Sequence, residues 1–481
     1  MTHVAVASAG MDMPVGDVTP ELVLVIGAVI VLVFALAAPR RRQPWAAALA
    51  LAVLAATAVA TLPMLGGGQH LTFFDTYAAD DVAVWAKLVI VAATALTVAL
   101  SVEWFRTDAR HGEYYALLLL SALGAVVLAG AADLMEVVLG VLLSSATGYV
   151  LAAYHRSSAR SAEAGIKYYL LGALTNAGLL YGVVLLFGLA GTTTLVGLGD
   201  ELVGADSTAL VAGVGLVVVG LAFKVGAVPA HAWVPDVADG GPAPVAAFLT
   251  VVPKVGGLVA LARLVAVLPE AGVGWRPLVA LLAAATMTLG NLAALWQDDV
   301  RRLLGWSAVS QSGYGLMALV ALGRSELAVA SLLFFLLAYA LANLAAFGVL
   351  VELRGRADLD AYAGLARSRP LLATALGLAF ASFVGIPPLA GFAAKLLLFG
   401  AVLDAGYAWL AALAVVNTVV SLAYYLRVVA PTWFQPAVEP VPVLGRWAAM
   451  AAVASAAAVV VVGIAAQVFL GSFEAARLLP R

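Results

Sequence analysis

The stretch FKVGAVPAHAWVPDVADGGPAPVAAFLTVVPKVGGL, Phe223–Leu258, decides how the rest of the chain is read. Lys224 and Lys254 stand in or at the end of apolar runs, and Pro229, Pro235 and Pro253 crowd around them with His231. Proline removes an intrahelical hydrogen bond and disrupts the turn before it. A cation beside a broken helix is costly in lipid, so both features need a purpose.

The surrounding chain makes lipid the solvent. Of 481 residues, 64% are hydrophobic and only 11% charged, with a mean hydropathy of +1.06. Soluble domains carry roughly 25% charged residues. Continuous apolar runs recur from about residue 21 to 471, each near the ~20 residues that cross a ~30 Å hydrocarbon core as a helix. About fourteen such runs are counted, so the fold class is an all-α polytopic membrane protein. Their continuity excludes the alternating strands of a barrel. The first run lacks a basic lead-in and is followed by Arg40–Arg42, which argues for a retained span. With that triplet inside, most loop arginines fall on the inner face and Arg276, Arg324, Arg477 and Arg481 on the other. Both termini are then expected outside.

The absence of cysteine excludes thiolate-held iron–sulfur clusters and zinc sites. The five histidines lie in loops or at span ends, and no phosphate-binding GxxxxGK[ST] loop occurs. No cofactor, no metal and no nucleic-acid partner is expected on this chain. Any redox step belongs to another chain.

The lysines are Lys87, Lys167, Lys224, Lys254 and Lys395. They fall in or near apolar segments, while the arginines are read as loop residues. Guanidinium keeps its proton, whereas a desolvated ammonium can release one, so this sorting suits proton handling. Against it, arginine-rich codon usage alone depletes lysine, and Lys87 and Lys167 lie close enough to span ends to snorkel. Lys254 and Lys395 lie deep, where a cation costs about 2.5–3.5 kcal/mol even on a lenient scale. In FVGIPPLAGFAAKLLLF, Pro387 and Pro388 interrupt a span and Lys395 follows two turns later. Interrupted helices beside buried charge point to an ion path. Two five-span units, about 114–268 and 277–428, repeat this plan, and an odd span number makes them inverted relative to each other.

At these residues the sequence resembles the antiporter-like proton-pumping subunits of respiratory complex I, and among them the subunit N branch. The resemblance rests on EYYALLLLSALGAVVLAGAADLMEVVLG, RSAEAGIKYYLLGALTNAGLLYG, the opening stretch, NLAALWQDDVRRLLGWSAVSQSGYGLMAL and DLDAYAGLARSRPLLATALGLAFASFVGIPPLAGFAAKLLLF, across roughly residues 110–430. It implies fourteen helices with broken helices 7 and 12, helices 4–8 and 9–13 being inverted repeats. The expected divisions are three helices in 1–112, the repeats in 113–270 and 271–430, and a last helix in 431–481. It also implies a polar midplane axis in which Lys224, Lys254 and Lys395 carry protons, with Lys167, His231, Gln311, Pro253, Pro387 and Pro388 in support. Partners would be other membrane subunits, the bilayer, protons, and a quinone bound elsewhere; the location would be the inner membrane.

Two departures stand out. The family's mid-helix-5 glutamate is replaced by Leu142, and the nearest in-span glutamate is Glu136. Six residues displace Glu136 by about 9 Å along the axis and about 120° around it, so it is expected to couple to Lys224 only weakly. Gln311 stands where relatives often carry histidine; an amide orders water but takes up no proton near neutrality. A cation/proton exchanger subunit of the same fold and a transport-deficient scaffold are the competing readings.

Overall fold

The computed structural model describes residues 14–108, 111–205, 208–270, 273–437 and 444–480. His3, Arg110 and Arg481 lie outside the described residues. The chain is almost entirely helical. Three helices open it, α1 (Thr19–Ala37), α2 (Trp45–Thr61) and α3 (Asp81–Ser101). A small hairpin, β1 (His70–Thr72) against β2 (Tyr77–Ala79), joins α2 to α3. Then come α4 (Gly112–Gly130), α5 (Leu134–Ala152), α6 (Ala159–Ala190), the short α7 (Leu195–Glu201) and α8 (Thr208–Val225). α9 (Trp233–Gly240), α10 (Ala243–Leu249) and α11 (Val252–Val267) complete the first half. The second half holds α12 (Trp275–Leu295), α13 (Val300–Ala321), α14 (Leu327–Glu352), α15 (Leu365–Ser368), α16 (Pro370–Val384), α17 (Ala390–Asp404) and α18 (Ala408–Phe434). α19 (Arg446–Ile464) and α20 (Ala466–Ala475) end it.

Among the described residues, twelve helical segments are long and apolar enough to cross a membrane. α13 spans 22 residues but carries Ser307, Ser310, Gln311, Ser312 and Tyr314, all buried, which lowers its hydropathy. α16 and α17 are two half-length pieces of one interrupted helix.

Each interruption has a local cause. α8 stops at Gly226, whose φ is +74°, and α16 at Gly385, φ +91°; glycine enters this left-handed region without the Cβ clash that other residues meet. Pro229 follows the first stop and Pro387–Pro388 the second, so neither helix resumes at once. Pro253 acts differently from a mid-helix kink. It occupies the first turn of α11, after a break at Thr250–Val251, where its missing N–H costs nothing.

α10 and α11 form the centre. Every residue from 241 to 265 is buried, so this segment is apolar on all sides because protein surrounds it on all sides. A Cβ at Gly256 would lie 2.3 Å from the Ala125 carbonyl oxygen, which lets α11 press against α4 backbone to backbone.

One sequence expectation is overturned here. Arginine is not confined to loops: Arg263 lies within α11 and is wholly buried. Its guanidinium grips the equally buried Asp80 at 2.6 and 2.7 Å and donates to Ala129 O at 3.0 Å. It also donates to Leu479 O, while the Leu479 N–H donates to Asp80 at 2.9 Å. A fully paired guanidinium can be buried where a lone one cannot.

Candidate functional site

Lys254 is 3% exposed. Its ammonium donates to Ala308 O at 2.6 Å and to the Tyr339 hydroxyl at 3.1 Å, and lies 4.2 Å from the Tyr339 ring centre. Tyr339 in turn donates to Thr250 O at 2.9 Å, at the α10–α11 break. Lys395 is 5% exposed. It donates to Val384 O at 3.3 Å and to Thr418 Oγ1 at 3.1 Å, with the Tyr314 ring centre 4.2 Å away. Lys224 is 1% exposed, and its ammonium has no protein partner among the described residues. None of these three lysines joins an ion pair with a described carboxylate. Lys254 and Lys395 are held by neutral oxygens and ring faces.

One of those oxygens, Val384 O, belongs to a broken helix. The last carbonyls of a helix lack intrahelical partners, and at α16 each is accounted for. Ala381 and Ser382 accept from the Gly385 N–H at 3.0 Å, Phe383 from Gln311 Nε2 at 3.5 Å, and Val384 from Lys395. At α8, Phe223 O accepts from Trp233 Nε1 at 2.9 Å and Val225 O from Ser312 Oγ at 2.7 Å. Adjacent residues of α13, Gln311 and Ser312, therefore answer the two breaks. Ser312 Oγ also lies 3.0 Å from Ala308 O, the oxygen that holds Lys254. A small cavity is lined by Lys395 and by Tyr339, the phenol that holds Lys254, together with Gln311, Ser382, Phe383 and Phe335.

The remaining expected residues lie apart from this line. Lys167 is 48% exposed and pairs with Glu163 at 2.8 Å and Asp236 at 3.4 Å, tying α6 to α9. His231 sits in the α8–α9 break with its ring 5.6 Å from that of Trp306. Glu136 occupies the first turn of α5 and accepts from Thr76 Oγ1 at 3.0 Å. It makes no ion pair with Lys224. Close to it is a charge pair that the sequence did not disclose: Lys87 meets Glu21 at 2.7 Å, and the Tyr77 hydroxyl donates to the same carboxylate oxygen at 2.5 Å. Tyr339, Tyr314, Thr418 and Ser312 were likewise not singled out. Their only signal is polarity inside otherwise apolar helices.

The likeness to known proteins covers nearly the whole chain. The family model described as "NADH:quinone oxidoreductase/Mrp antiporter, TM" matches residues 131–421. NADH-quinone oxidoreductase subunit N of Mycobacterium sp. (strain JLS) is 46% identical over 431 residues, 89% of this chain and 91% of the relative. Subunit N 1 of Streptomyces griseus is 42% identical over 460 residues, 95% of this chain and 97% of the relative. A chain of respiratory complex I from Thermus thermophilus superposes with a TM-score of 0.81 at 32% identity, covering 94% of this chain and 98% of that one. A chain of the Mrp complex from Dietzia sp. shares the fold, with a TM-score of 0.84 at 23% identity over 96% of this chain and 97% of that one. The chain thus belongs to the family of NADH-quinone oxidoreductase subunit N, among the antiporter-like membrane subunits of respiratory complex I.

Proposed function

We propose that this chain is a proton-translocating subunit of an NADH-quinone oxidoreductase, working in the bacterial inner membrane alongside other membrane subunits. Electron transfer to quinone takes place on other chains and drives proton movement through this one. Fourteen crossings in two inverted five-helix repeats, with both termini on the outer side, are part of the same reading. The arginine distribution supports that orientation.

The observation that carries the proposal is the neutral lining of Lys254. A carboxylate partner would favour the charged form of a buried ammonium and raise its pKa. An ammonium held by a carbonyl and a phenol can lose its proton without stranding an opposite charge. Lys254 would be the central exchanger and Lys395 the group nearest the outward exit, with Gln311 and Tyr339 ordering water between them. Lys224 would receive protons ahead of Lys254. Identity of 46% and 42% to proteins named subunit N favours this over an exchanger subunit, to which the likeness is one of fold.

The test is Lys254→Ala in the assembled complex, reconstituted into vesicles. Loss of pumping with the complex intact supports the proposal; undiminished pumping per NADH oxidised overturns it.

A further inference from the structure

The layer in which the family's helix-5 carboxylate would face Lys224 is built here from neutral groups. α6 and α8 pack antiparallel in a register set by close contacts. A Cβ at Gly213 would lie 3.1 Å from Leu186, one at Gly182 2.9 Å from Val217, and one at Gly220 2.7 Å from Leu179. One further turn along this register brings Lys224 opposite Thr175 and Asn176, which lie on the face of α6 that carries Leu179 and Gly182. α5 reaches the same layer. A Cβ at Gly172 would meet the Tyr149 hydroxyl at 2.0 Å and the Phe223 ring at 2.8 Å, and Asn176 Nδ2 donates to the Tyr149 hydroxyl at 3.4 Å. Leu142, Ser145 and Tyr149 share one face of α5 by their spacing of three and four residues.

Several polar atoms in and around this layer are unpaired. Lys224 Nζ, Asn176 Oδ1, Ser144 Oγ, Ser145 Oγ and Tyr168 Oη are all buried with no hydrogen-bond partner among the described residues. Buried polar groups are nearly always satisfied, by protein or by ordered water. A donor on Lys224 and acceptors on Asn176 and the serines suit water, which both donates and accepts.

We infer that Lys224 exchanges its proton through bound water held by Asn176, Tyr149 and Ser145, a hydroxyl–amide site that stands in for the helix-5 carboxylate. This rests on the reading of Lys224 as a proton carrier. The ammonium donates to water, the water donates to Asn176 Oδ1, and a proton leaving Nζ passes along the water and leaves a neutral amine. Amide and hydroxyl hold the water in place and take up no proton themselves near neutral pH. Among the described residues, no anion faces Lys224 from the helices packed on α8. Tyr168 of α6 and Lys254 of α11 are buried titratable groups on those two helices, and α5 contributes Tyr149. Glu163 and Lys167 pair with each other, Arg263 pairs with Asp80, and Tyr169 and Tyr181 are 54% and 60% exposed.

The test uses the complete complex in proteoliposomes, with NADH oxidation and proton pumping measured together across pH. Asn176→Leu is expected to lower pumping several-fold at preserved NADH oxidation, and Tyr149→Phe to lower it less. Asn176→Asp is expected to pump with its pH profile displaced to higher pH, because a carboxylate retains the Lys224 proton. Lys224→Ala separates the two readings. Normal pumping by Lys224→Ala overturns the role of Lys224 itself. Loss in Lys224→Ala with wild-type pumping and an unchanged pH profile in Asn176→Leu overturns the water site alone. A density map of the wild-type complex that resolves water decides independently of folding. Water within about 3 Å of both Nζ and Asn176 Oδ1 supports the site, and its absence there overturns it.

Discussion

Lys254 meets Tyr339 twice, through a 3.1 Å hydrogen bond to the hydroxyl and through a ring whose centre lies 4.2 Å from the ammonium. The phenol is therefore both the acceptor for the charged lysine and a face that attracts cations. Tyr339→Phe keeps the second contact and deletes the first, along with the bond to Thr250 O. Proton pumping by reconstituted complex is expected to fall while assembly persists, since each of the two hydrogen bonds lost is worth only about 1 kcal/mol net. Lys254→Arg is expected to fail where Lys254→Ala fails, because guanidinium holds its proton. Full pumping by the arginine variant would show that Lys254 need not deprotonate.

The break between α16 and α17 depends on a glycine at 391. A Cβ there would sit 1.7 Å from Ser382 O, which backbone must move to relieve. Gly391→Ala is expected to separate the half-helices and draw Val384 O away from Lys395. Overpacking of this kind typically costs about 1–3 kcal/mol. A lower unfolding temperature together with impaired pumping would confirm it; wild-type values for both would show that the break tolerates a wider gap.

Asp80 neutralises an arginine that has no route to water. Asp80→Ala leaves the Arg263 guanidinium buried and uncompensated, a loss of roughly 3–5 kcal/mol, and the complex is expected to accumulate poorly in membranes. Replacing both partners with apolar residues of similar volume is expected to restore much of the level. Equal accumulation of the single variant and the wild type, measured by quantitative blotting, would contradict this.

Outside the membrane, His70 answers pH. Its imidazole meets Asp17 at 2.9 Å; that hydrogen bond, with another to Gly68 O, raises its pKa above the ordinary value. A raised folded value means that the contribution is complete below about 6.5 and fades as pH climbs through the folded pKa. The side chain is half exposed, so the effect is small. His70→Ala is expected to flatten the decline of thermal stability as pH rises above about 6.5; an identical slope in both proteins would exclude the pair as its source.

The architecture was readable where the chemistry of a single residue type decides the backbone. Pro387 and Pro388 forbid a continuous helix, and the structure breaks between Val384 and Ala390. Pro253 was read as the same kind of breaker, but it begins a helix, since only the conformation before it distinguishes the two uses. Lys254 and Lys395 are visible because charge is rare in apolar runs. Their phenol and hydroxyl neighbours are not, because Tyr339 and Thr418 in a helix look like ordinary interhelical contacts until the helices are packed. Arg263 escaped notice for another reason. Its partner Asp80 is 183 residues away, and no local pattern announces a pair at that distance.

That same pair has a consequence for biogenesis. Arg263 donates a hydrogen bond to a backbone carbonyl 216 residues further along, so a growing chain carries this arginine into the bilayer long before Leu479 has been synthesised. Until then Asp80 and Ala129 are its only partners among the described residues, and the α3–α4–α11 junction is held with donors to spare. The first half of the molecule can thus insert early yet stays unsealed until its distant closing segment docks.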